Sequence, residues 1–155
     1  MAGHLWLLRH GEAEPHDARP DDDRELTDRG REQSLAAGRA LAALGLEFHD
    51  VFTSPKVRAR ETAALACQAL ACEPVEHEAL RAGFGVDDAL ELLAAAGEGR
   101  RVLVVGHDPD FSQLVHDLTG ARVSLKKGGV AGVRLDGGHG ELVALLRPRE
   151  LHRIR

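Results

Sequence analysis

The apolar positions of this chain fall into short runs separated by longer mixed segments. The runs that predict strands lie near residues 4–9, 50–53, 74–76 and 101–106. The run from Val102 to Val105 is apolar without interruption, which is typical of a strand buried on both faces of a parallel sheet. Near the end of the chain, residues 130–135 and 141–146 flank a glycine-rich segment and predict a β-hairpin.

The segments between these runs predict helices. Their expected bounds are 28–44, 55–70, 87–96 and 109–118. Thr27 is placed to cap the first helix, Ser54 to cap the second with Pro55 at its first position, and Asp108 to cap the last. The alternating order predicts a single α/β domain over residues 1–155, a three-layer α/β/α sandwich whose mostly parallel sheet has an antiparallel edge.

Basic residues and histidines occupy the ends of three predicted strands. Arg9 and His10 end the first strand, and His107 follows the strand at 101–106. Arg58 lies about one turn into the helix after the strand at 50–53. The carboxyl ends of parallel strands share one edge, where open α/β sheets bind ligands. Two guanidiniums and two imidazoles at that edge predict an anion pocket, most naturally for a phosphoryl group.

Each of these residues also has a purely structural interpretation. Arg9 and His10 would be a surface pair in a loop, Arg58 a solvated helix residue, and His107 a core histidine bonded to backbone. Their common position at strand ends favours the joint, functional interpretation.

Three motifs carry a resemblance to a known family. They are Arg9-His10-Gly11, Ser54-Pro55-x-x-Arg58-Ala59-x-x-Thr62 and Gly106-His107. In this order they resemble the histidine phosphatase superfamily. Leu26-Thr27-x-x-Gly30 and Lys126-Lys127-Gly128-Gly129 resemble its compact branch, the SixA-type phosphohistidine phosphatases. The resemblance spans roughly residues 5–148 and implies a phosphoglycerate mutase-like fold and phosphatase activity.

The expected chemistry is covalent. A neutral nitrogen of His10 attacks phosphorus and carries the phosphoryl group as a phosphohistidine, which water then hydrolyses. Arg9 and Arg58 place fixed positive charge at the phosphoryl oxygens and disfavour protonation of His10. His107 is expected to donate a hydrogen bond to a phosphoryl oxygen.

The general acid has several candidates, of which Glu78 and Glu12 come first. In the compact branch a Glu is expected directly before the Leu that begins this loop, and this chain has Ala79 there with Glu78 one residue earlier. Glu12 is equally well explained as a loop or capping carboxylate. Asp87 or Asp88 are further alternatives.

Three functions follow from this pattern. An uncertain acid suits phosphohistidine, because its imidazole leaves readily once the ring is protonated. A short chain with few residues for a lid also favours a side chain presented by a protein partner. The alternatives are a small-molecule phosphomonoesterase acting on a sugar phosphate, nucleotide or polyphosphate, and a phospho-binding module without turnover. His10 argues against the last, because binding alone needs no nucleophile.

Composition narrows the kinds of partner, the cellular location and the cofactors to expect. The net charge of the 155 residues is −5, and no face-sized basic run points to nucleic acid. No apolar segment reaches the ~20 residues of a membrane span or the apolar region of a signal peptide, so a cytoplasmic protein is expected. Cys67 and Cys72 are expected to be reduced. No cofactor or metal is expected, and the acidic triplet Asp21–Asp23 is interpreted as a solvated loop.

The segment Lys126-Lys127-Gly128-Gly129 has two interpretations. It is either a solvated turn or a basic segment that borders the pocket and attracts a phosphorylated or acidic partner.

Overall fold

The computed structural model describes residues 3–155, and its elements follow the expected β-α order. The strands are β1 (Gly3–Arg9), β2 (Asp50–Thr53), β3 (Pro74–Glu76), β4 (Arg101–Gly106), β5 (Val130–Asp136) and β6 (His139–Leu146). The helices are α1 (Asp28–Ala43), α2 (Val57–Leu70), α3 (Val86–Ala96), α4 (Asp110–Thr119) and α5 (Pro148–Leu151). Short 3-10 turns cover Asp21–Asp23 and Glu78–Leu80.

The strands form one sheet in the order β3-β2-β4-β1-β5-β6. The pairs β2–β3, β2–β4 and β1–β4 are parallel, while β1–β5 and β5–β6 are antiparallel. This confirms the mostly parallel sheet with an antiparallel edge. Because β2, β4 and β1 are neighbours, the chain leaves all three at adjacent points of the same edge.

The two faces of the sheet bury separate cores. In β1, Leu5 and Leu7 face one core and Trp6 and Leu8 the other, because successive strand residues point to opposite faces. The first core packs against α3 and α4, and the second against α1, α2 and α5. Burial on both faces explains why β1 and β4 are almost entirely apolar.

The predicted start of α2 is wrong. The helix begins at Val57 with Lys56 at the N-cap position, rather than at Pro55 after a Ser54 cap. The hydroxyl of Ser54 accepts the backbone N–H of Lys56 at 3.2 Å and contacts the ring of His107. It therefore closes a turn ahead of the helix. Arg58 is consequently the second residue of α2, not one turn into it.

The predicted cap of α4 also needs correction. This helix begins at Asp110, and Pro109 rather than Asp108 holds the N-cap position. Asp108 still acts on the first turn, since its carboxylate accepts the backbone N–H of Ser112 at 2.9 Å. By contrast, Thr27 caps α1 as expected, accepting from the N–H of Gly30 at 3.1 Å.

Helix α5 is absent from the sequence-based expectations. Pro148 stands in its first turn, and the carboxylate of Glu150 accepts the backbone N–H of Arg147 at 3.0 Å. Proline at the start and Glu at the third position are ordinary start signals, but four residues are too few for a periodic pattern. Leu151 fixes the helix by burying its side chain in the second core.

Two further findings concern the cysteines and the length of the helices. Cys67 and Cys72 are free thiols whose sulfurs lie 3.1 Å apart. Within residues 3–155, no helix combines the length and apolarity needed to cross a bilayer.

Candidate active site

A cavity of about 350 Å³ opens at the carboxyl edge of β1, β4 and β2. Its lining includes the four side chains that the strand-end pattern singles out: Arg9, His10, Arg58 and His107. The structure therefore brings all four together, because the strands they follow are neighbours in the sheet.

The ring of His10 has a fixed tautomer. Its Nδ1 lies 2.7 Å from the carbonyl oxygen of Gly11. A carbonyl only accepts, so Nδ1 carries the proton and Nε2 keeps a free lone pair. The Nε–H of Arg58 points at that lone pair from 3.4 Å. The ring nitrogen of His10 that keeps a lone pair is therefore Nε2, and it faces Arg58.

The two site histidines are held neutral. Burial lowers the pKa of His10 to about 3, with the nearby His107 and the guanidiniums of Arg58 and Arg9 acting in the same direction. Burial and the charge of Arg58 lower the pKa of His107 to about 3 as well. The ring centroids lie 5.2 Å apart, so a positive charge on either ring would oppose a charge on the other. Both imidazoles are therefore neutral near pH 7, with one proton on each ring.

Glycine after His10 is required by a close backbone approach. A Cβ at Gly11 would lie 2.5 Å from the carbonyl oxygen of Gly30, and a Cβ at Gly30 would lie 2.0 Å from that of Glu12. The N–H of Gly11 also donates to the hydroxyl of Thr62 at 3.1 Å. The turn after β1 is thus clamped between the first turn of α1 and the second turn of α2, which fixes the position of His10.

Arg9 is positioned through the segment before β5. Its guanidinium donates to the carbonyl oxygen of Leu125 at 2.8 Å, and the N–H of Leu125 donates to the hydroxyl of Ser112 at 3.0 Å. That hydroxyl in turn donates to the carboxylate of Asp108 at 2.8 Å. The Nε of Arg9 is buried with no hydrogen-bond partner within residues 3–155.

His107 is oriented by Ser54. Its Nε2 lies 2.8 Å from the hydroxyl of Ser54, which already accepts the N–H of Lys56. A hydroxyl carries one donor hydrogen and two lone pairs, so this contact orients the ring and is compatible with either ring tautomer. Nδ1 has no partner among the described residues.

The acidic triplet is exposed, as the solvated-loop interpretation expects, but Asp21 and Asp22 also form ion pairs at the edge of the cavity. The carbonyl oxygen of Asp21 accepts from Arg58 at 2.7 Å, and its carboxylate lies 2.7 Å from Nζ of Lys56. Asp22 pairs with Arg81. The hydrogen bond from Lys56 holds the pKa of Asp21 well below its usual range. Asp21 consequently lines the cavity.

The structure places neither leading acid candidate in the cavity lining. Glu78 lies in a 3-10 turn, 75% exposed, 2.6 Å from Nε of Arg81, and this hydrogen bond lowers its pKa. A carboxyl paired in this way favours its deprotonated form and holds no proton to donate. The carboxylate of Glu12 accepts the hydroxyl of Thr27 at 2.8 Å and lines the neighbouring cavity instead. Asp88 accepts the N–H of Gly85 at the start of α3.

Sequence reasoning missed several residues of the cavity. Those not singled out from the sequence include His16, Arg24, Lys56, Arg81 and Asp110. Lys56 lies inside the Ser-Pro-x-x-Arg motif and was open to prediction from it. Arg81 and Asp110 carry no local signal, because only the packing of the segments after β3 and β4 brings them to the site.

A search for metal ligands gives nothing in the part of the chain that the structure describes. No group of three or more His, Cys, Asp or Glu side chains is arranged there to hold an ion. The carboxylates of the Asp21–Asp23 turn instead meet Lys56, Arg58 and Arg81.

Comparison with known proteins identifies relatives with this arrangement of strands. The family described as histidine phosphatase superfamily (branch 1) matches residues 5–86. An uncharacterized protein of Picosynechococcus sp. is 37% identical over 139 residues, which make up 84% of this chain and 84% of that protein.

Two solved structures extend the comparison to almost the whole chain. The structure of the protein histidine phosphatase SixA complexed with tungstate has a TM-score of 0.84 and 28% identity, covering 96% of this chain and 99% of that chain. Phosphoglycerate mutase from Bacillus anthracis has a TM-score of 0.80 and 16% identity, covering 97% and 95%. These likenesses confirm the expected phosphoglycerate mutase-like fold.

Proposed function

Since this chain belongs to the histidine phosphatase superfamily and is a phosphatase, we propose that it acts through a covalent phosphohistidine on His10. We propose further that its substrate is phosphohistidine in a partner protein. The observation that carries the mechanism is the fixed tautomer of His10, in which Nε2 has no proton and its lone pair faces Arg58.

In the first step, Nε2 of His10 forms a bond to phosphorus while the bond from phosphorus to the substrate imidazole breaks. The departing imidazole leaves with the proton that its ring carries. The His10 ring becomes positively charged as the new bond forms. The carbonyl of Gly11 stabilises this charge by accepting Nδ1–H at 2.7 Å.

In the second step, a water oxygen bonds to phosphorus and the bond from phosphorus to Nε2 breaks. The water proton passes to solvent or to the released phosphate. Because Nδ1 keeps its proton throughout, His10 departs as a neutral imidazole and needs no acid of its own.

The remaining site residues stabilise charge on the phosphoryl group. We assign Arg9 and Arg58 to the non-bridging oxygens, since a fixed guanidinium fork matches such oxygens. His107 is assigned as a neutral donor through Nδ1–H. In this tautomer the hydroxyl of Ser54 donates to Nε2 and holds the ring in place before substrate arrives.

A protein substrate is favoured by the lack of a dedicated acid and by likeness to the SixA structure, which is named a protein histidine phosphatase. A phosphohistidine imidazole leaves without a proton from the enzyme, whereas an alkoxide does not. Glu78, paired with Arg81, does not supply that proton.

The second candidate, a small-molecule phosphomonoesterase, is favoured by one observation. Asp108 and Asp110 line the cavity, and either carboxyl would be near a leaving group there. Asp108 accepts two hydrogen bonds from Ser112, and Asp110 accepts the N–H of Gly83 at 2.8 Å. Because both carboxylates already accept hydrogen bonds from the protein, this candidate ranks second.

The mechanism is tested by trapping the intermediate. Acid-sparing quench of the wild-type protein with a ³²P-labelled phosphohistidine protein should leave base-stable, acid-labile label on His10. His10→Ala should take up no label and lose several orders of magnitude in kcat, because the covalent route is removed. His139→Ala, an exposed histidine of the hairpin, is the matched control and should label normally. Label on Ser54, Cys67 or no residue would refute the mechanism.

The substrate class is tested with a panel. The wild-type protein should have a higher kcat/KM for phosphohistidine in a protein domain than for sugar phosphates, nucleotides or polyphosphate. The reverse order would replace the proposed substrate with the second candidate while leaving the role of His10 intact.

A further inference from the structure

A second cavity, of about 560 Å³, adjoins the active site. Six cationic side chains line it: Arg9, Arg29, Lys126, Lys127, Arg147 and Arg149. Glu12 is the carboxylate in its lining. We call this cavity the basic groove. Its cations come from β1, the first turn of α1, the turn before β5, and α5 with its N-cap, so only the fold assembles them.

The basic groove is continuous with the active site. Arg9 and Lys127 line both cavities. A molecule whose phosphoryl group lies against His10 therefore has a path past Lys127 into the groove.

The position of Lys127 is fixed by the backbone of the site. The N–H of Gly128 donates to the carbonyl oxygens of Arg9 and His10, at 3.1 and 3.0 Å, and the N–H of Arg9 donates to Gly129 at 3.1 Å. Gly128 has φ +77°, which suits glycine and allows this close turn. The lysine segment is thus held beside the nucleophile and is not a loose solvated turn.

The charge of the groove is poorly neutralised. Arg29, Lys126 and Lys127 have no carboxylate within ion-pair distance among residues 3–155. Arg147 and Arg149 share the single carboxylate of Glu150, at 2.9 and 3.6 Å. The lysine and arginine side chains that line only the active-site cavity are instead paired with carboxylates.

There, Lys56 and Arg58 pair with Asp21, and Arg81 pairs with Glu78. A chain with a net charge of −5 therefore concentrates unpaired positive charge on one side of its active site.

We propose that the basic groove binds carboxylate side chains that flank the phosphorylated residue of a protein substrate. This rests on the proposed function and names the chemistry of its partner: an acidic segment that lies along the groove while the phosphoryl group enters the active site.

The exposure of the groove decides between an acidic segment and a small anion. Arg29, Lys126, Lys127, Arg147 and Arg149 are all exposed. Exposed cations stay hydrated, and each adds little to the affinity of a single free anion. Several acting together on a multiply charged polypeptide raise the rate of encounter and orient it. The groove therefore acts on association with an acidic protein rather than on the chemical step.

The test removes three groove charges that lie outside the active-site lining: Arg29→Gln, Lys126→Gln and Arg149→Gln in one variant. The matched control is the triple variant Arg39→Gln, Arg100→Gln, Arg122→Gln, which changes three exposed arginines that line neither cavity. Both variants change the net charge equally, so any effect of total charge appears in both.

The substrate is a histidine-phosphorylated phosphotransfer domain with Asp or Glu flanking its phosphohistidine, made also with those residues changed to Asn or Gln. At low salt, the groove variant should lose about tenfold in kcat/KM on the acidic substrate, with kcat unchanged and a flatter dependence on salt. The control variant and the hydrolysis of a small aryl phosphate should change less than about twofold.

The losses in kcat/KM from the groove variant and from the neutralised substrate should not be additive. Neutralising the substrate should slow the wild-type enzyme by a similar factor and leave the groove variant unaffected. If the wild-type enzyme turns over the phosphoprotein and the groove variant matches the control, the groove proposal is overturned and the proposed function stands.

Three other results would overturn the proposal that the basic groove binds substrate carboxylates. If the wild-type enzyme fails on every phosphohistidine protein but hydrolyses small esters, the proposed substrate falls and this inference falls with it. Equal losses on linear polyphosphate, independent of substrate carboxylates, would assign the groove to phosphate oxygens and overturn the proposal. Equal losses on the aryl phosphate would place these cations in the catalytic site and overturn it too.

Discussion

At the scale of one residue, His10 shows how burial keeps an imidazole neutral. The side chain is 7% exposed, and this burial, more than the neighbouring cations, lowers its pKa to about 3. The bond to Gly11 then selects the ring nitrogen that keeps its lone pair. Sequence reasoning expects Arg9 and Arg58 to keep the ring neutral. In the structure they assist, and desolvation is the larger cause.

Neutral, buried histidines make stability depend on pH. His10 and His107 have pKa values of about 3 in the folded protein, against ~6.5 in an unfolded chain. Between these pH values the unfolded chain binds more protons, so the free energy of unfolding should fall as the pH is lowered from about 6.5 towards 3. Urea denaturation at a series of pH values measures this directly.

The control for this prediction is the double variant His10→Asn, His107→Asn, which keeps polar groups of similar size but cannot take up these protons. Its free energy of unfolding should depend less steeply on pH over the same range. Identical pH dependence in the two proteins would show that these rings titrate normally.

At the scale of elements, the turn after β1 sits against the first turn of α1 with no room for side chains. The backbone of Gly30 lies against Gly11 and Glu12, and Gln33 of α1 accepts the N–H of Glu12 at 2.9 Å. His10, the proposed nucleophile, is therefore positioned by a contact between a strand end and a helix start.

Gly30→Ala tests this contact. The new Cβ would lie 2.0 Å from the carbonyl oxygen of Glu12, so the turn must move away from α1. The free energy of unfolding should fall by about 1–3 kcal/mol, as overpacking of a close contact does, and kcat should fall with it because His10 shifts. Urea denaturation and steady-state kinetics measure the two effects.

Gly138→Ala is the matched control, because a Cβ at Gly138 meets no atom within 4 Å. It should change neither stability nor kcat appreciably. If the two alanine variants behaved alike, the approach of Gly11 to Gly30 would have no part in holding the site.

At the scale of the whole molecule, positive charge is concentrated around one edge of the sheet although the chain is acidic overall. Arg9, Arg58 and Lys56 line the active-site cavity, where we propose that their charge stabilises the phosphoryl group, and Lys56 and Arg58 form ion pairs with Asp21. We therefore expect turnover to persist in excess chelator.

The measurement is the initial rate with EDTA and then with added Mg²⁺ or Mn²⁺. The rate should be the same in all three conditions. Loss of turnover in EDTA, restored by the metal, would mean that a cation uses Asp21 in place of Lys56.

The architecture and the four strand-end residues were predictable from sequence because their signals are local. An apolar run of four to six residues predicts a buried strand, and a helix signal after it predicts a parallel neighbour. Parallel strands then bring their ends to one edge, so Arg9, His10 and His107 share that edge whatever the order of strands. The boundaries were less predictable, since the turn that Ser54 closes with Lys56 depends on its contact with His107.

The sequence alone therefore determined the fold class, the edge that carries the site, and a histidine after β1 with cations around it. Tertiary structure alone decided what pairs with those groups. Asp21 meets Arg58 across 37 residues of chain, and Arg81 meets Asp22 across 59. The basic groove likewise joins Arg29 to Arg149. Such pairings rest on the packing of segments that are distant in the sequence, and no local pattern of residues encodes that packing.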